Sequence, residues 1–330
     1  MNIGGIFFLL LLCIIAQTYT QTTVNYYEQT RLTHLTLIQF YRWFQVYERP
    51  YTVERINNSL DILEDNVTIE SSNGVMNGKD NYPNRLLTYR GWHNAHHIEI
   101  LKDIEILPNS KIKLEADVLY QNILPTGIGN SYVNHYIMTL DLRPNDLPLL
   151  SYVKITPIRE VEPIIFKNAY PTNRVKSFMH NWLYNIERAR DPNDFLELLA
   201  NNFELHLTSN QSVVDTWIKF EEWIQSIPVR IKLSSHHYKD FTVKEYDNGT
   251  LFNVTVKFDW QGVTTDTEQT MIAETSHQWI LENNLDERFA RLKYMKVEEI
   301  RPFQLLTNDA SINLRLWSII LLNLLLTQFL

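Results

Sequence analysis

The chain has 330 residues, 45% hydrophobic and 12% aromatic, with only nine Gly; that is about twice the usual length of one domain and enough apolar material for two packed cores, which excludes a disordered chain. A net charge of -8, a pI near 5.7 and no Lys/Arg run exclude a nucleic-acid role whose affinity comes from neutralised phosphates. No cofactor is implied by any motif, and no G-x-S-x-G stands in the chain.

Residues 6–16, "IFFLLLLCIIA", form an apolar run too short to span a bilayer, followed by small residues at Thr18 and Thr20. The run is expected to be a signal peptide over residues 1–20, cut near Gln21, although no Lys or Arg precedes it. A buried N-terminal helix or membrane anchor is the alternative. The single cysteine, Cys13, lies inside it, so the remaining chain would carry neither thiol nor disulfide.

The first half then opens on a helix, with Leu35, Ile38, Tyr41 and Phe44, joined by Leu37 and Phe40, at helical spacing. Pro50 starts a short second helix over residues 53–63, and a strand follows at Val67-Thr68-Ile69. A third helical segment is expected around Lys79 to Tyr89. His96-His97 then open a long strand. In the next strand Ile112, Leu114, Ala116, Val118 and Tyr120 alternate with Lys111, Lys113, Glu115, Asp117 and Leu119, the pattern of a half-buried strand. Residues 132–142 and 149–158 complete the half.

The second half repeats this order. Val175, Phe178, Met179, Trp182 and Ile186 form its first helix, Pro192 starts a second over residues 193–200, and residues 203–207 are a strand. Residues 213–227 read as a helix with Trp217, Phe220, Trp223 and Ile224 on one face. His236-His237 open the next strand. Moving the first half's apolar set on by about 140 lands on Phe252, Val254, Val256, Phe258 and Trp260, again alternating with polar residues. Residues 269–281 and 290–300 are the last strands.

Residues 316–330 are apolar to the last residue, preceded by the small-residue stretch Asn308-Asp309-Ala310-Ser311 and by no basic tail that would fix an orientation. The arrangement is expected to direct lipid attachment near Asn308, with a single-pass tail as the alternative. Sequons at Asn57, Asn66, Asn210, Asn248 and Asn253 agree with a secretory, extracellular route and a surface-attached protein. The division is therefore 1–20 signal peptide, 24–162 first domain, 163–167 linker, 168–304 second domain, and 305–330 anchor signal or hydrophobic tail. Polar Lys111, Lys113, Glu115 and Asp117, and a glycan on Asn253, would keep the two halves from packing through their sheets.

The order helix, helix, strand, helix and four long strands, with His96-His97-Ile98 and His236-His237-Tyr238 opening the first long strand, resembles the nuclear transport factor 2-like superfamily and its SnoaL-like branch. The resemblance covers roughly residues 32–160 and 172–301, and its element order carries more weight than the bare histidine pair. It implies an α+β fold of two tandem cone-shaped domains, each with three N-terminal helices packed on a curved antiparallel sheet. The family includes steroid isomerases, polyketide cyclases, dehydratases and members without known activity, so the fold leaves the chemistry open.

Adjacent strand residues face opposite sides, so at most one histidine of each pair points into the cone unless a bulge intervenes. Parity puts His96 with Ile98, Ile100, Ile104 and Ile106, whereas Phe241 and Val243 share the parity of His237; the conflict implies a bulge near Asp240 or Lys102-Asp103. The resemblance favours His97 and His237 as the pocket members. His135 and His277, on a neighbouring strand, are the candidate partners for proton transfer, and the alternative is that all four are satisfied core-rim histidines. Tyr120, Trp260, Trp43 and Trp182 are candidates to line an apolar ligand pocket. Two histidines without a patterned third ligand fall short of a metal site. The reading is a protein that binds a small apolar ligand or a cell-surface partner; the alternative is an isomerase, cyclase or dehydratase using His/Asp proton transfer.

Overall fold

The computed structural model describes residues 3–49, 55–56, 59–162, 165–188, 191–208 and 213–306, with side chains from residue 26 onward. The Asn57, Asn210 and Asn308 assignments and the anchor at 307–330 lie outside the described residues.

The first half begins with α1 (Ile3–Glu48) and continues through β1 (Leu63–Ser71), β2 (Gly74–Asn77), α2 (Tyr82–Leu87), β3 (His93–Leu107), β4 (Lys111–Ile123), β5 (Gly129–Asp141) and β6 (Leu149–Val161). The second runs α3 (Tyr170–Glu187), β7 (Leu199–His206), β8 (Val213–Val214), α4 (Trp217–Arg230), β9 (Ile231–Tyr246), β10 (Leu251–Thr264), β11 (Thr270–Glu282) and β12 (Arg291–Leu305). The sheet orders are the same, β2-β1-β6-β5-β4-β3 and β8-β7-β12-β11-β10-β9. The protein is thus an α+β chain of two tandem domains.

The sheets are mixed rather than purely antiparallel: β1 runs parallel to β6, and β7 parallel to β12. The helices and four strands between the members of each pair supply the long crossover a parallel pairing requires. The expected second helix over 193–200 is a single 3-10 turn, Pro192–Phe195, because Leu199 and Ala200 are already in β7. In the first half, the described part of the corresponding segment ends in the 3-10 turn Leu60–Ile62.

α1 and α3 run antiparallel against each other and join the halves. Tyr41 and His180 stack at 5.6 Å, with His34 facing Glu187 near one end of the contact and Glu48 facing Asn173 near the other. Leu35 and Ile38 of α1 pack in the second half's core, while Leu37, Phe40, Phe44 and Trp43 pack in the first's. The contact is unusually polar for a buried one: Gln45 Nε2 donates to Ser177 Oγ at 2.9 Å and to the Asn173 carbonyl at 3.1 Å. Arg174, fully buried, donates to the carbonyls of Arg288, Asn284 and Glu287 at 2.6–3.0 Å, and desolvation lowers its pKa to about 9. Asn253 is exposed on β10, in keeping with halves that meet through helices and not through β4 and β10.

Bulges settle which strand residues face inward. In β9 the pairing with β10 slips opposite Val256, and Asp240 takes a left-handed φ of 51°. His236 and Tyr238 before the slip, and Val243 after it, therefore face the same side, opposite Trp260, Phe258 and Val254. β3 slips twice, between Ile98 and Ile100 and between Leu101 and Asp103, so the two shifts cancel and Ile104 and Ile106 recover the parity of Ile98.

Candidate functional site

The inward histidines are His96 and His236, not His97 and His237. His97 lies on the other face and donates from Nε2 to the Lys167 carbonyl at 3.0 Å. His237 is exposed and bonds the Tyr26 hydroxyl at 2.6 Å. The parity conflict arises because Phe241 and Val243 stand beyond the Asp240 bulge, where face and numbering exchange.

Each inward histidine is held by the last residue of its half's first helix. Glu48 Oε1 accepts from the His96 backbone N–H at 2.8 Å and lies 3.1 Å from Nδ1. Glu187 Oε1 does the same for His236, at 2.6 and 3.0 Å. The side chains of Glu48 and Glu187 are both inaccessible to solvent. Desolvation opposes the charge of Glu187, yet His34 and His236 outweigh it and lower its pKa to about 2, so the carboxylate stays ionised. Neither glutamate was singled out from the sequence. The signal was present, since Trp43 and Glu48 recur as Trp182 and Glu187, within one residue of the spacing of the histidine pairs.

His135 and His277 are not equivalent. Ala116 pairs with Tyr136, whereas its counterpart Val256 pairs with His277, so the two strands differ by one residue of register and the histidines face opposite sides. His135 sits on the outer polar face, 2.8 Å from Asp117 and 3.5 Å from Glu115. His277 faces into the second cone beside Phe258 at 4.8 Å, and desolvation lowers its pKa to about 3, which keeps it neutral. Tyr136 takes its place in the first cone.

The two cones consequently differ. In the first, His96 is held between Phe44 and Tyr120 at centroid distances of 4.8 and 5.0 Å, and Tyr136 closes on Phe44. The Tyr120 hydroxyl donates to Asn94 at 2.7 Å, and burial raises its pKa. Trp43 is fully buried against Tyr82, a core residue and not a pocket wall. In the second, Leu183 and Ile186 stand where the first has Phe44 and Tyr47, and a cavity of about 590 Å³ opens. Trp182, Trp260, His236, His277, Trp279 and Met295 are among its walls. Trp260 folds across Gly262, where any Cβ would collide with the indole, so this glycine shapes the mouth.

Against the apolar walls stand a few polar groups. His236 is fixed through Nδ1, and its Nε2 has no partner among the described residues. His277 Nε2 lies 3.1 Å from Thr275 Oγ1, while His277 Nδ1 and Trp279 Nε1 bond to no other protein group among the described residues. Apolar walls with a small number of oriented polar groups are the usual constitution of a small-molecule site. Among the described residues no three His, Cys, Asp or Glu side chains are placed to hold a metal ion.

No protein-family model matches the chain. No curated protein matches it. Solved structures similar to it include the hexachlorocyclohexane dehydrochlorinase LinA-type3 from Novosphingobium barchaimii LL02, at 8% identity over 42% of this chain and 90% of that one, TM-score 0.36. A nuclear transport factor 2-like superfamily protein from Salmonella enterica matches at 12% identity over 38% and 87%, TM-score 0.34. ActVI-ORFA from Streptomyces coelicolor matches at 13% over 39% and 96%, TM-score 0.33. Each match spans about the length of one half of this chain.

Proposed function

We propose that the protein binds a small, largely apolar molecule in the cone of its second half, and that the first half is a filled cone with a structural part. The observation that carries this reading is the contrast between the cones: the same Glu–His pair stands in both, but His96 is enclosed between Phe44 and Tyr120 whereas His236 lines a cavity of about 590 Å³. The unbonded Nδ1 of His277 and Nε1 of Trp279 favour a ligand with one or two polar atoms on an apolar body. Titration with the neutral dye Nile red tests it. Val297→Phe, which fills the cavity, is expected to abolish the fluorescence gain, while Tyr120→Phe in the first cone leaves it unchanged. Equal binding by Val297→Phe would place the dye elsewhere.

A second reading is favoured by His236 itself. A carboxylate on Nδ1 directs the imidazole so that Nε2 faces the cavity as an acceptor, the arrangement of a general base next to an apolar substrate. The reaction class would be proton abstraction, as in an isomerase, cyclase or dehydratase. Deuterium exchange from solvent into a panel of cyclic ketones, followed by NMR, tests it. His236→Gln should reduce exchange about 100-fold or more while leaving Nile red bound. Absence of exchange across the panel would leave the binding role.

The location is a separate proposal: export by residues 1–20 and surface attachment through the C-terminal segment. Exposed Asn66, Asn248 and Asn253 support it, as each is open to glycosylation. No described helix is long and apolar enough to cross a membrane. Release from cells by a phosphatidylinositol-specific phospholipase is the expected result for a lipid anchor, and retention would favour a spanning tail or no anchor.

A further inference from the structure

We propose that His34, carried by the long helix of the first half, is a positioning residue of the second half's site, sharing Glu187 with His236 and so making the first half part of that site. The inference rests on the second cone being the ligand site. It extends that reading to a residue outside the cone.

His34 and Asn173 occupy the same position in α1 and α3, and each reaches across to the other half's Glu–His pair. Asn173 Nδ2 donates to Glu48 Oε1 at 2.9 Å, to Oε2 at 3.1 Å and to the His96 carbonyl at 3.0 Å. That amide engages both carboxylate oxygens and cannot change charge. His34 Nε2 instead lies 3.3 Å from Glu187 Oε1, the oxygen already bonded by His236, at ion-pair distance but without hydrogen-bond alignment, and neither His34 Nε2 nor Glu187 Oε2 has a hydrogen-bond partner among the described residues. The ring of His34 is oriented from behind by His180, Nδ1 to Nδ1 at 2.8 Å, and is almost wholly buried. The filled cone therefore has an amide at this position, and the hollow cone has a titratable imidazole.

Other charged and titratable groups face Glu187. Arg31 and Tyr26 come from α1, Arg188 from the end of α3, and Lys232, His236 and His237 from β9. Of these only His236 joins His34 in touching the carboxylate, and His34 is the largest single influence holding it ionised. A histidine at this place sets how strongly Glu187 holds the Nδ1 proton of His236, and through it the character of Nε2 at the cavity wall.

The test uses the full chain labelled with carboxyl-¹³C glutamate, with Glu187→Gln to assign the signal. In the wild type the Glu187 carboxyl is expected to titrate near pH 2. In His34→Ala its midpoint should rise by about one unit or more, and it should remain raised in His34→Asn, since an amide supplies a hydrogen bond without charge. The pH profile of Nile red binding should move with it. A wild-type midpoint in His34→Asn, which copies the arrangement at Asn173, would reduce His34 to a structural contact and overturn the proposal. If His34→Ala does not fold, His34→Asn alone decides. Failure of the wild type to bind Nile red would sink the ligand-site reading and the inference built on it, whereas an unchanged midpoint with dye bound would sink the inference alone.

Discussion

Tyr41 and His180 stand at the same position in the two halves' first helices, and their rings stack at 5.6 Å with an interplanar angle of 8°. Such a contact between equivalent residues marks a local two-fold relation between α1 and α3. It also explains the reciprocal reach of His34 and Asn173, which lie on either side of the stack.

Because Leu35 and Ile38 of α1 belong to the second half's core while their neighbours belong to the first's, the halves share a structural element. Unfolding should therefore be one cooperative transition, with tryptophan fluorescence and far-ultraviolet circular dichroism coinciding across a urea titration. Two separated transitions would show that the halves fold independently.

The four aromatics read as pocket walls separate by burial. Trp43→Ala should cost about 3–5 kcal/mol, as for other fully packed large side chains. Trp260→Ala, at the cavity mouth, should cost much less yet weaken Nile red binding. Comparable losses of stability would mean that the second cone is packed as tightly as the first.

Acid should destabilise the fold through its neutral histidines. His277 is held at about 3 and His180 is lowered well below its ordinary value, both by desolvation, so between those values and about 6.5 the unfolded chain binds protons that the folded chain does not. Stability is then full above pH 6.5 and falls as pH drops toward 3. His277→Phe should flatten this fall in urea titrations at stepped pH. An unchanged slope would assign the acid sensitivity to other groups.

Asp240 carries the parity of β9. Asp240→Gly relieves a left-handed backbone on the surface and should be neutral or stabilising by up to about 1 kcal/mol. Deleting Asp240 should turn Tyr238 and the residues before it to the opposite face relative to Phe241 and Val243, and unfold the second half. A folded deletion variant would mean that the register adapts.

The repeat, the element order and the strand parity were legible because alternation of apolar and polar residues is local, as in Ile112 to Tyr120 and Phe252 to Trp260. The site was legible only in part. Which histidine faces inward depends on bulges at Glu99, Lys102 and Asp240, and a bulge is a pairing event between strands that no single strand encodes. The one-residue difference that turns His135 outward and His277 inward involves no bulge; β4–β5 and β10–β11 each pair in continuous register, offset by one residue between the halves. Glu187 and His34 were missed since their meaning comes from the packing of α1 on α3, and a polar residue in a helix otherwise reads as solvated.

The central claim is that one cone is closed by its own aromatics and the other is open to a ligand. A crystal pressurised with xenon, which enters apolar cavities, tests this directly. The account predicts a strong xenon peak among Trp182, Trp260, Trp279 and Met295, and none between Phe44, Tyr120 and Tyr136. Peaks in both cones, or in neither, would contradict it.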